Sequence, residues 1–294
     1  MLFRKIAIVG VGLLGGSLAL AIRERKLAAV LHGYVRRDAS LNECEQAGLK
    51  EFASRDLPAV VRDADLVILC TPLAQMRDLV RQMLPALKRG AVVTDVGSVK
   101  ASVISDLAPI ISSADAHFIG AHPMAGAEKM GVSAARADLF HDAVCVLTPG
   151  PDANAGLVQK LEEFWRAIGA RTLQLTPEVH DELVGRCSHL PHVVAAELAN
   201  FVLDSKHPKE QPLLCANGFR DTTRIASGSP EMWRDIALAN GQQLSRVLDV
   251  FIDDLLQLRR AIDAGDAKVL ESFFVTAKQR RDSWCAQMAS PSPE

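Results

Sequence analysis

Close to its amino terminus the chain reads Ile6-Ala7-Ile8-Val9-Gly10-Val11-Gly12-Leu13-Leu14-Gly15-Gly16-Ser17, and this stretch decides the fold. Four apolar residues predict a buried strand, and a G-x-G-x-x-G turn then leads into a helix whose free N–H groups favour phosphate. Gly10 permits the tight turn, Gly12 lets a pyrophosphate approach the backbone, and Gly15 lets the helix pack on the strand. The alternative is a strand-to-helix turn that binds no ligand. The residues expected to contact a dinucleotide are Gly10, Gly12, Leu13, Leu14, Gly15 and, after a later strand, Thr71.

The first half of the chain alternates short apolar runs with stretches of helix length. Each run has the length of a buried strand, which is typical of a parallel sheet with helices on both faces. The runs are Ile6 to Val9, Val30 to Val35, Leu66 to Cys70, Ala91 to Val96 and Val144 to Leu147. A further strand is predicted at Arg171 to Leu175. We therefore expect an α/β fold whose N-terminal doubly wound parallel sheet occupies residues 1–175.

The second half carries signals for helices. Thr176-Pro177-Glu178 and Ser229-Pro230-Glu231 each combine a capping hydroxyl, a proline at the first helical position and an acid in the first turn. From Leu244 to Ile262 the apolar residues recur every three or four positions, and a second stripe widens the apolar arc. Such a helix is expected to be buried on more than one side. Residues 176–294 are therefore predicted to form an all-helical domain, in which this helix packs against neighbouring helices or a second subunit.

The composition excludes several classes of partner. The 33 Lys and Arg residues and 35 Asp and Glu residues leave a net charge of −2, so neither nucleic acid nor an anionic membrane is expected as a partner. The six cysteines are scattered without a C-x-x-C pair, which argues against a disulfide framework and fits a reducing compartment. No signal peptide is recognisable, and no apolar run reaches the roughly 18 residues of a membrane span. A cytoplasmic location is expected.

The end of the second apolar run bears on which dinucleotide binds. An acid that hydrogen-bonds the ribose 2′-hydroxyl is expected about 20 residues after the glycine turn. Here Val35 occupies that position, and Arg36 and Arg37 follow it. Two arginines can hold a 2′-phosphate, which a carboxylate would repel, so NADP is expected in preference to NAD. The alternative is that both arginines are solvated and that Asp38 reads the hydroxyl.

Three further segments carry side chains that packing does not readily explain. The first, Asp95-Val96-Gly97-Ser98-Val99-Lys100, follows a predicted strand, and ligands bind at that edge of an open α/β sheet. In the second, Gly120 to Lys129, proline and small residues flank His122, which indicates a loop. The third combines His189-Leu190-Pro191-His192 with Asn217-Gly218-Phe219-Arg220-Asp221-Thr222-Thr223-Arg224.

In content and order these pieces resemble the prephenate/arogenate (cyclohexadienyl) dehydrogenase family. The matching motifs are V-G-V-G-L-L-G-G-S, D-V-G-S-V-K, H-P-M-A-G-A-E-K, S-H-L-P-H, and G-F-R-D-T-T-R-I followed by M-W-R-D-I. The resemblance implies a Rossmann domain, an all-helical dimerisation domain and an active site between them. It also implies oxidative decarboxylation of a cyclohexadienyl substrate with hydride transfer to NAD(P)+, on the route to tyrosine. One departure is Ala216-Asn217-Gly218, where many relatives carry three glycines, so Asn217 is expected to contact the substrate side chain.

The implied chemistry gives each remaining side chain a role. His122 is the expected base for the proton of the ring hydroxyl, because a neutral imidazole accepts a proton near pH 7. Ser98 is expected to hydrogen-bond the same hydroxyl or to orient His122. Arg224 is the expected clamp for a substrate carboxylate. His192 is expected to support the site through hydrogen bonds, and Glu128 to gate or polarise the cleft.

Several of these residues have structural alternatives. A lone histidine after a strand is more often structural, Ser98 could cap a helix that begins near Val99, and Arg224 could pair with Asp221. The two histidines of H-L-P-H lie three residues apart on one helical face, but zinc needs more ligands, so no metal is expected. The proline between them is expected to kink the helix.

Two rival functions also fit the glycine turn. A β-hydroxyacid dehydrogenase pairs a dinucleotide-binding half with a helical half, but members of that class carry a catalytic lysine on the first helix of the second half. Here that helix, His180 to Cys187, has no lysine. A non-catalytic NADP sensor would not explain His122, Ser98 and Arg224 together. No role is predicted for His180 beyond a place near the domain junction.

Overall fold

The larger of two sheets follows the doubly wound pattern. This computed structural model describes residues 2–49, 52–126, 131–204 and 206–289. The strands of the larger sheet are β1 (Lys5–Val9), β2 (Val30–Tyr34), β3 (Ala53–Ser54), β4 (Leu66–Leu69), β5 (Val92–Asp95) and β6 (His117–Phe118). They pair in parallel in the order β3-β2-β1-β4-β5-β6. The strand order reverses between β1 and β4, so the ligand crevice of this fold class is expected at their carboxyl ends.

Helices cover both faces of this sheet. They are α1 (Leu13–Glu24), α2 (Asp38–Gln46), α3 (Leu57–Val61), α4 (Leu73–Met83), α5 (Ala101–Ser112) and α6 (Ala155–Ile168). Alternate residues of β1 point to opposite faces: Ile6 and Ile8 join one buried cluster, and Ala7 and Val9 join the other. Because β1 and β4 are buried throughout, their sequences are almost entirely apolar, which is why they could be predicted. Strand β5 is also buried, although it ends in Thr94 and Asp95.

A second, smaller sheet holds β7 (Gly120–Pro123), β8 (Val144–Thr148) and β9 (Arg171–Gln174). Strand β8 pairs antiparallel with β7 and parallel with β9. The prediction that Val144 to Leu147 belongs to the parallel sheet is therefore wrong. The prediction of a loop around His122 is also wrong, since His122 lies in β7 opposite Val146. Glycine and proline give β7 a weak strand propensity, and its partner lies far along the chain.

The helical part begins where the sequence predicts. Its first elements are α7 (Pro177–Val184), a π-helical turn (Gly185–His189), α8 (Leu190–Leu203), α9 (Gln211–Leu214), α10 (Asn217–Thr223) and α11 (Pro230–Ala239). The hydroxyls of Thr176 and Ser229 accept hydrogen bonds from backbone amides at the starts of α7 and α11, which confirms both predicted helix starts. The irregularity near Pro191 is a π-helical turn just before it, where the missing proline N–H cannot continue the α-helical pattern.

The last two helices are α12 (Gly241–Asp263) and α13 (Ala267–Ala289), and residues 245–294 form a compact unit apart from residues 1–244. Large apolar side chains on both helices are exposed: Val250, Ile252, Leu255, Ile262, Phe274 and Trp284. Within the described ranges, none of the helices has the length and apolar character needed to cross a membrane. The domain boundary expected near residue 175 stays a prediction.

Candidate active site

The glycine turn between β1 and α1 has the space that a dinucleotide needs. Gly10 has a φ of +99°, a conformation that favours glycine. A Cβ on Gly15 would lie 2.0 Å from the carbonyl oxygen of Gly10, so α1 packs directly on the turn. A Cβ on Gly12 would meet no described atom within 4 Å, so open space lies over the backbone at the start of the helix. These residues fit a pyrophosphate held by the first turn of α1, which Leu13 and Leu14 begin.

Thr71 lies beside this turn, just after β4. Its Cγ2 would be 2.7 Å from a Cβ on Gly10. Its Oγ1 is buried without a hydrogen-bond partner among the described residues. Because buried hydroxyls normally have a partner, this one is available to a ligand at the crevice. The structure thus places Thr71 together with the glycine turn.

The residues after β2, which bear on the choice between NADP and NAD, include an ion pair that neither prediction named. The side chains of Arg36 and Arg37 are exposed, and Asp38 begins α2. Both carboxylate oxygens of Asp38 accept from Arg55, at 2.7 and 2.9 Å. Arg55 is a third cation at this edge, and sequence reasoning missed it because β3, which it follows, is only two residues long.

His122 is buried at the centre of the candidate site. Its Nδ1 lies 2.8 Å from Nε2 of His180, and Nδ1 of His180 lies 2.7 Å from a carboxylate oxygen of Asp181. The Asp181 carboxylate also accepts from the backbone amides of Lys100 and Ala101, at 2.8 and 2.9 Å. A carboxylate and two imidazoles are therefore aligned, and α7 supplies the carboxylate and the inner imidazole.

This alignment determines which nitrogen of His122 can accept a proton. A carboxylate only accepts hydrogen bonds, so the Nδ1–H of His180 donates to Asp181 and its Nε2 is left as an acceptor. Nδ1–H of His122 then donates to His180, and Nε2 of His122 keeps a lone pair. Burial, and next the nearby Lys100 ammonium, hold the pKa of His122 well below its ordinary value, so the ring is neutral at pH 7.

Ser98 lies half-buried in the segment between β5 and α5. The alternative that Ser98 caps a helix beginning near Val99 is wrong. Helix α5 begins at Ala101, and the carboxylate that accepts its first amides belongs to Asp181. The Ser98 hydroxyl is therefore not needed for capping.

The histidines of H-L-P-H line a cavity of about 480 Å³ between α8 and α11. The ring of His192 stacks on Trp233 at 3.4 Å between centroids and an interplanar angle of 13°. Nδ1 of His189 lies 3.1 Å from the side-chain amide of Asn240, whereas its buried Nε2 has no partner among the described residues. Burial lowers the pKa of His192 and lowers that of His189 to about 4. In the described part of the chain, no group of three His, Cys, Asp or Glu side chains could hold a metal ion.

The remaining expected substrate contacts lie on the surface of the single chain. Asn217 begins α10, Arg224 begins the turn after it, and both side chains are exposed. That turn packs against α8, and a Cβ on Gly228 at its end would lie 3.1 Å from the His192 ring. Asp221 lies 4.0 Å from the Arg220 guanidinium. The prediction for Glu128 falls outside the described residues.

Sequence reasoning missed His180 and Asp181. The signal that could have identified them was an adjacent His–Asp pair in a capped helix immediately after the last strand. Combined with a histidine that needed an orienting group, that pair could have been proposed as its partner. The distance in sequence, 58 residues from His122 to His180, hid the contact.

The glycine turn lies at the switch point of a doubly wound sheet, and the helical half orients a buried histidine. These features are typical of a nicotinamide-dependent oxidoreductase built from a dinucleotide-binding half and a helical half. Residues 18–174 match the sequence-family model for the nucleotide-binding domain of prephenate dehydrogenase. Residues 176–276 match the sequence-family model for the prephenate dehydrogenase dimerization domain. The chain belongs to the prephenate dehydrogenase family.

Individual relatives agree with this placement. A cyclohexadienyl dehydrogenase of Zymomonas mobilis is 36% identical over 282 residues, covering 95% of each chain. The crystal structure of Aquifex aeolicus prephenate dehydrogenase with hydroxyphenyl propionate and NAD+ is similar with a TM-score of 0.88 and 29% identity, over 95% of this chain and 98% of that one. A Synechocystis arogenate dehydrogenase structure is similar with a TM-score of 0.81 and 31% identity, over 95% and 99%.

Proposed function

We propose that this chain catalyses the NAD(P)-dependent oxidative decarboxylation of prephenate, arogenate or both. The observation that carries the proposal is the buried Asp181–His180–His122 alignment, which leaves the outer imidazole neutral with one free lone pair. A neutral, oriented imidazole is what the removal of a hydroxyl proton requires. The names of the relatives, which include cyclohexadienyl, prephenate and arogenate dehydrogenases, support the substrate class.

The proposed chemistry divides among the residues as follows. A bound nicotinamide supplies the hydride acceptor. Nε2 of His122 takes the proton of the ring hydroxyl as carbonyl character develops. Ser98 holds that hydroxyl in place through a hydrogen bond. When carbon dioxide leaves, its bonding electrons enter the ring, and His122 returns the proton to the phenolic oxygen. Such a base contributes about 10²–10⁴ in rate.

Substrate binding is proposed to involve the helical half. Arg224 presents a planar guanidinium that can clamp a carboxylate through two hydrogen bonds. His192, held flat against Trp233, and Asn217 at the start of α10 are proposed to contact the rest of the substrate. Arg224→Ala should mainly raise KM, whereas His122→Ala should mainly lower kcat. Glu128 keeps its predicted role at the cleft as a proposal.

For the cofactor, we propose a preference for NADP. Arg36, Arg37 and Arg55 outnumber Asp38 at the edge where the 2′-phosphate would lie, and Arg55 already neutralises that carboxylate. The binding test compares adenosine 2′,5′-bisphosphate with 5′-AMP by calorimetry. Arg36→Ala and Arg55→Ala should each weaken the bisphosphate by about tenfold, or 1.4 kcal/mol, and leave 5′-AMP unchanged. Equal affinity of the wild type for both nucleotides would contradict the proposed preference for NADP.

The activity is tested by the absorbance of reduced cofactor in a grid of prephenate or arogenate against NADP or NAD. Turnover in any combination supports the reaction class, and the ratios give the substrate and cofactor preferences. Folded protein that binds cofactor but is silent in all four combinations would contradict the proposal and favour a non-catalytic sensor.

A further inference from the structure

One buried ion pair has no part in the chemistry described so far. Lys100 and Asp95 are both fully buried, and the Lys100 ammonium contacts the Asp95 carboxylate directly. Removing two charges from water is expensive, and a well-packed apolar pair is often as stable or more so. Stability alone therefore does not explain a buried Lys–Asp pair at this position.

The contacts of the pair converge on one peptide. The N–H of Ala121 donates to the Asp95 carboxylate at 3.2 Å, and its carbonyl oxygen accepts from the Lys100 ammonium at 2.9 Å. Both polar groups of the residue that precedes His122 are thus held by the two members of the pair. The backbone of β7 cannot shift along β5 without breaking these bonds.

The same pair also fixes the other two groups of the site. The amide of Gly97, the residue before Ser98, donates to Asp95 at 2.8 Å. The backbone amide of Lys100 itself donates to Asp181, which orients His180. Each of His122, His180 and Ser98 is therefore connected to Asp95 or Lys100 through a single intervening residue.

We propose that Asp95 and Lys100 are positioning residues for this reaction, which hold His122, His180 and the Ser98 segment in register. The inference rests on the proposed function. It differs from a purely structural role because the ammonium also acts on the base through its charge. Lys100 disfavours protonation of His122, so the pair influences both the position of the imidazole and its pKa.

Several charged or titratable groups lie around His122, and three of them, Lys100, His180 and His189, lower its pKa. They come from β5, the segment after it, β8, α7 and the π-helical turn: Asp95, Lys100, Cys145, His180, Asp181 and His189. Burial and the two neighbouring histidines also disfavour the imidazolium. Lys100 is the only Lys or Arg in this set, so its removal raises the pKa of His122.

The test is the double variant Asp95→Asn/Lys100→Met, which removes both charges together and leaves no unpaired buried ion. We expect kcat to fall by about 10–100-fold, as for other groups that orient catalytic side chains, with KM and the cofactor dissociation constant within about twofold. The acid limb of the kcat/KM profile should move to higher pH. Wild-type kcat with an unmoved acid limb in the folded double variant would overturn the proposal.

A control pair of the same residue types lies at the amino ends of β4 and β5 and is partly exposed. Asp65 and Lys88 also form a Lys–Asp pair, and Asp65 also accepts from backbone amides, those of Arg4 and Lys5. Asp65→Asn/Lys88→Met should leave kcat and the pH profile unchanged. If the first double variant fails to fold, Lys100→Arg replaces it, because it keeps the charge but changes the reach to Ala121. Lower kcat with an unmoved acid limb supports the proposal, and undiminished kcat overturns it.

Failure of the inference can be told from failure of the proposed function. The imidazole signals of His122 in ¹³C-labelled wild type and variant report its titration without any substrate. A rise in the His122 pKa in the double variant supports the influence of the pair even if no tested substrate is turned over. An unchanged His122 titration sinks it even if the wild type is an active dehydrogenase.

Discussion

His180 is the single residue on which the orientation of the base depends, since it accepts from His122 and donates to Asp181. His180→Phe removes the acceptor and lets the His122 ring change tautomer. We expect kcat to fall about 10–100-fold with little change in cofactor affinity. Steady-state kinetics beside a cofactor titration measures both. His141→Phe is the control, because His141 also pairs with the aspartate that follows it, at 2.9 Å, but on the surface. Equal kcat in the two variants would contradict the orienting role.

Protonation of the buried histidines should also set the stability of the protein in acid. The pKa of His189 is lowered to about 4 by burial, and that of His122 is also lowered. Between pH 4 and about 6.5 the unfolded chain therefore binds more protons, so stability is complete above this window and is lost as the pH falls through it. His189 alone should remove about 3 kcal/mol by pH 4. Urea denaturation at pH 7.5 and pH 5 measures the loss, and His189→Asn should reduce it.

At the level of elements, the turn between β1 and α1 separates binding from packing. Gly12→Ala adds a methyl group to open space, so the free protein should keep its stability, while the pyrophosphate loses its approach. We expect cofactor affinity to fall at least about tenfold, or 1.4 kcal/mol. Gly15→Ala drives a methyl group into the Gly10 carbonyl and should destabilise the fold by about 1–3 kcal/mol. Thermal melts with and without cofactor distinguish the two, and a reversed pattern would refute the assignment.

The elements also show which parts of the structure were predictable. Strands β1 and β4 could be predicted from their own residues, because a strand that is buried on both faces is almost entirely apolar. Strands β2 and β5 offer only the shorter apolar stretches Val30-Leu31 and Val92-Val93. Strand β8 has the same local character as β1 and β4, so nothing in its own residues distinguishes an antiparallel partner from a parallel one. The partner, β7, contains Gly120 and Pro123 and does not read as a strand.

The site follows the same division. The glycine turn was predictable because both the binding of a pyrophosphate and the packing of the helix require glycines at the G-x-G-x-x-G spacing. His122 could be singled out, but its orienting partners could not, since His180 and Asp181 approach it only through the folding of β7 and α7 onto β5 and α5. The roles of Ser98, His192 and Arg224 stay predictions, and the kinetics of Arg224→Ala would test the last of them.

At the scale of the whole molecule, we propose that the chain forms a homodimer. The exposed apolar side chains of α12 and α13 and the match of residues 176–276 to a dimerization domain support this proposal. Val250→Glu or Phe274→Glu should convert a dimer to monomer, because each places a charge on an apolar surface. Sedimentation velocity over a range of concentrations measures the mass. Gln242→Glu, at the exposed start of α12 and about 80° round the helix from Val250, should leave the assembly intact. A wild type that sediments as a monomer at all concentrations would remove the proposal.

The distance of 58 residues between His122 and His180 has a consequence for timing during synthesis. A ribosome that has released the chain only as far as Gln174 has already produced the glycine turn and His122. The residues that orient the histidine are still within the exit tunnel or not yet translated. A nascent chain that binds a nucleotide at this stage has no oriented base. Catalysis is therefore not possible until α7, which carries His180 and Asp181, has emerged from the ribosome.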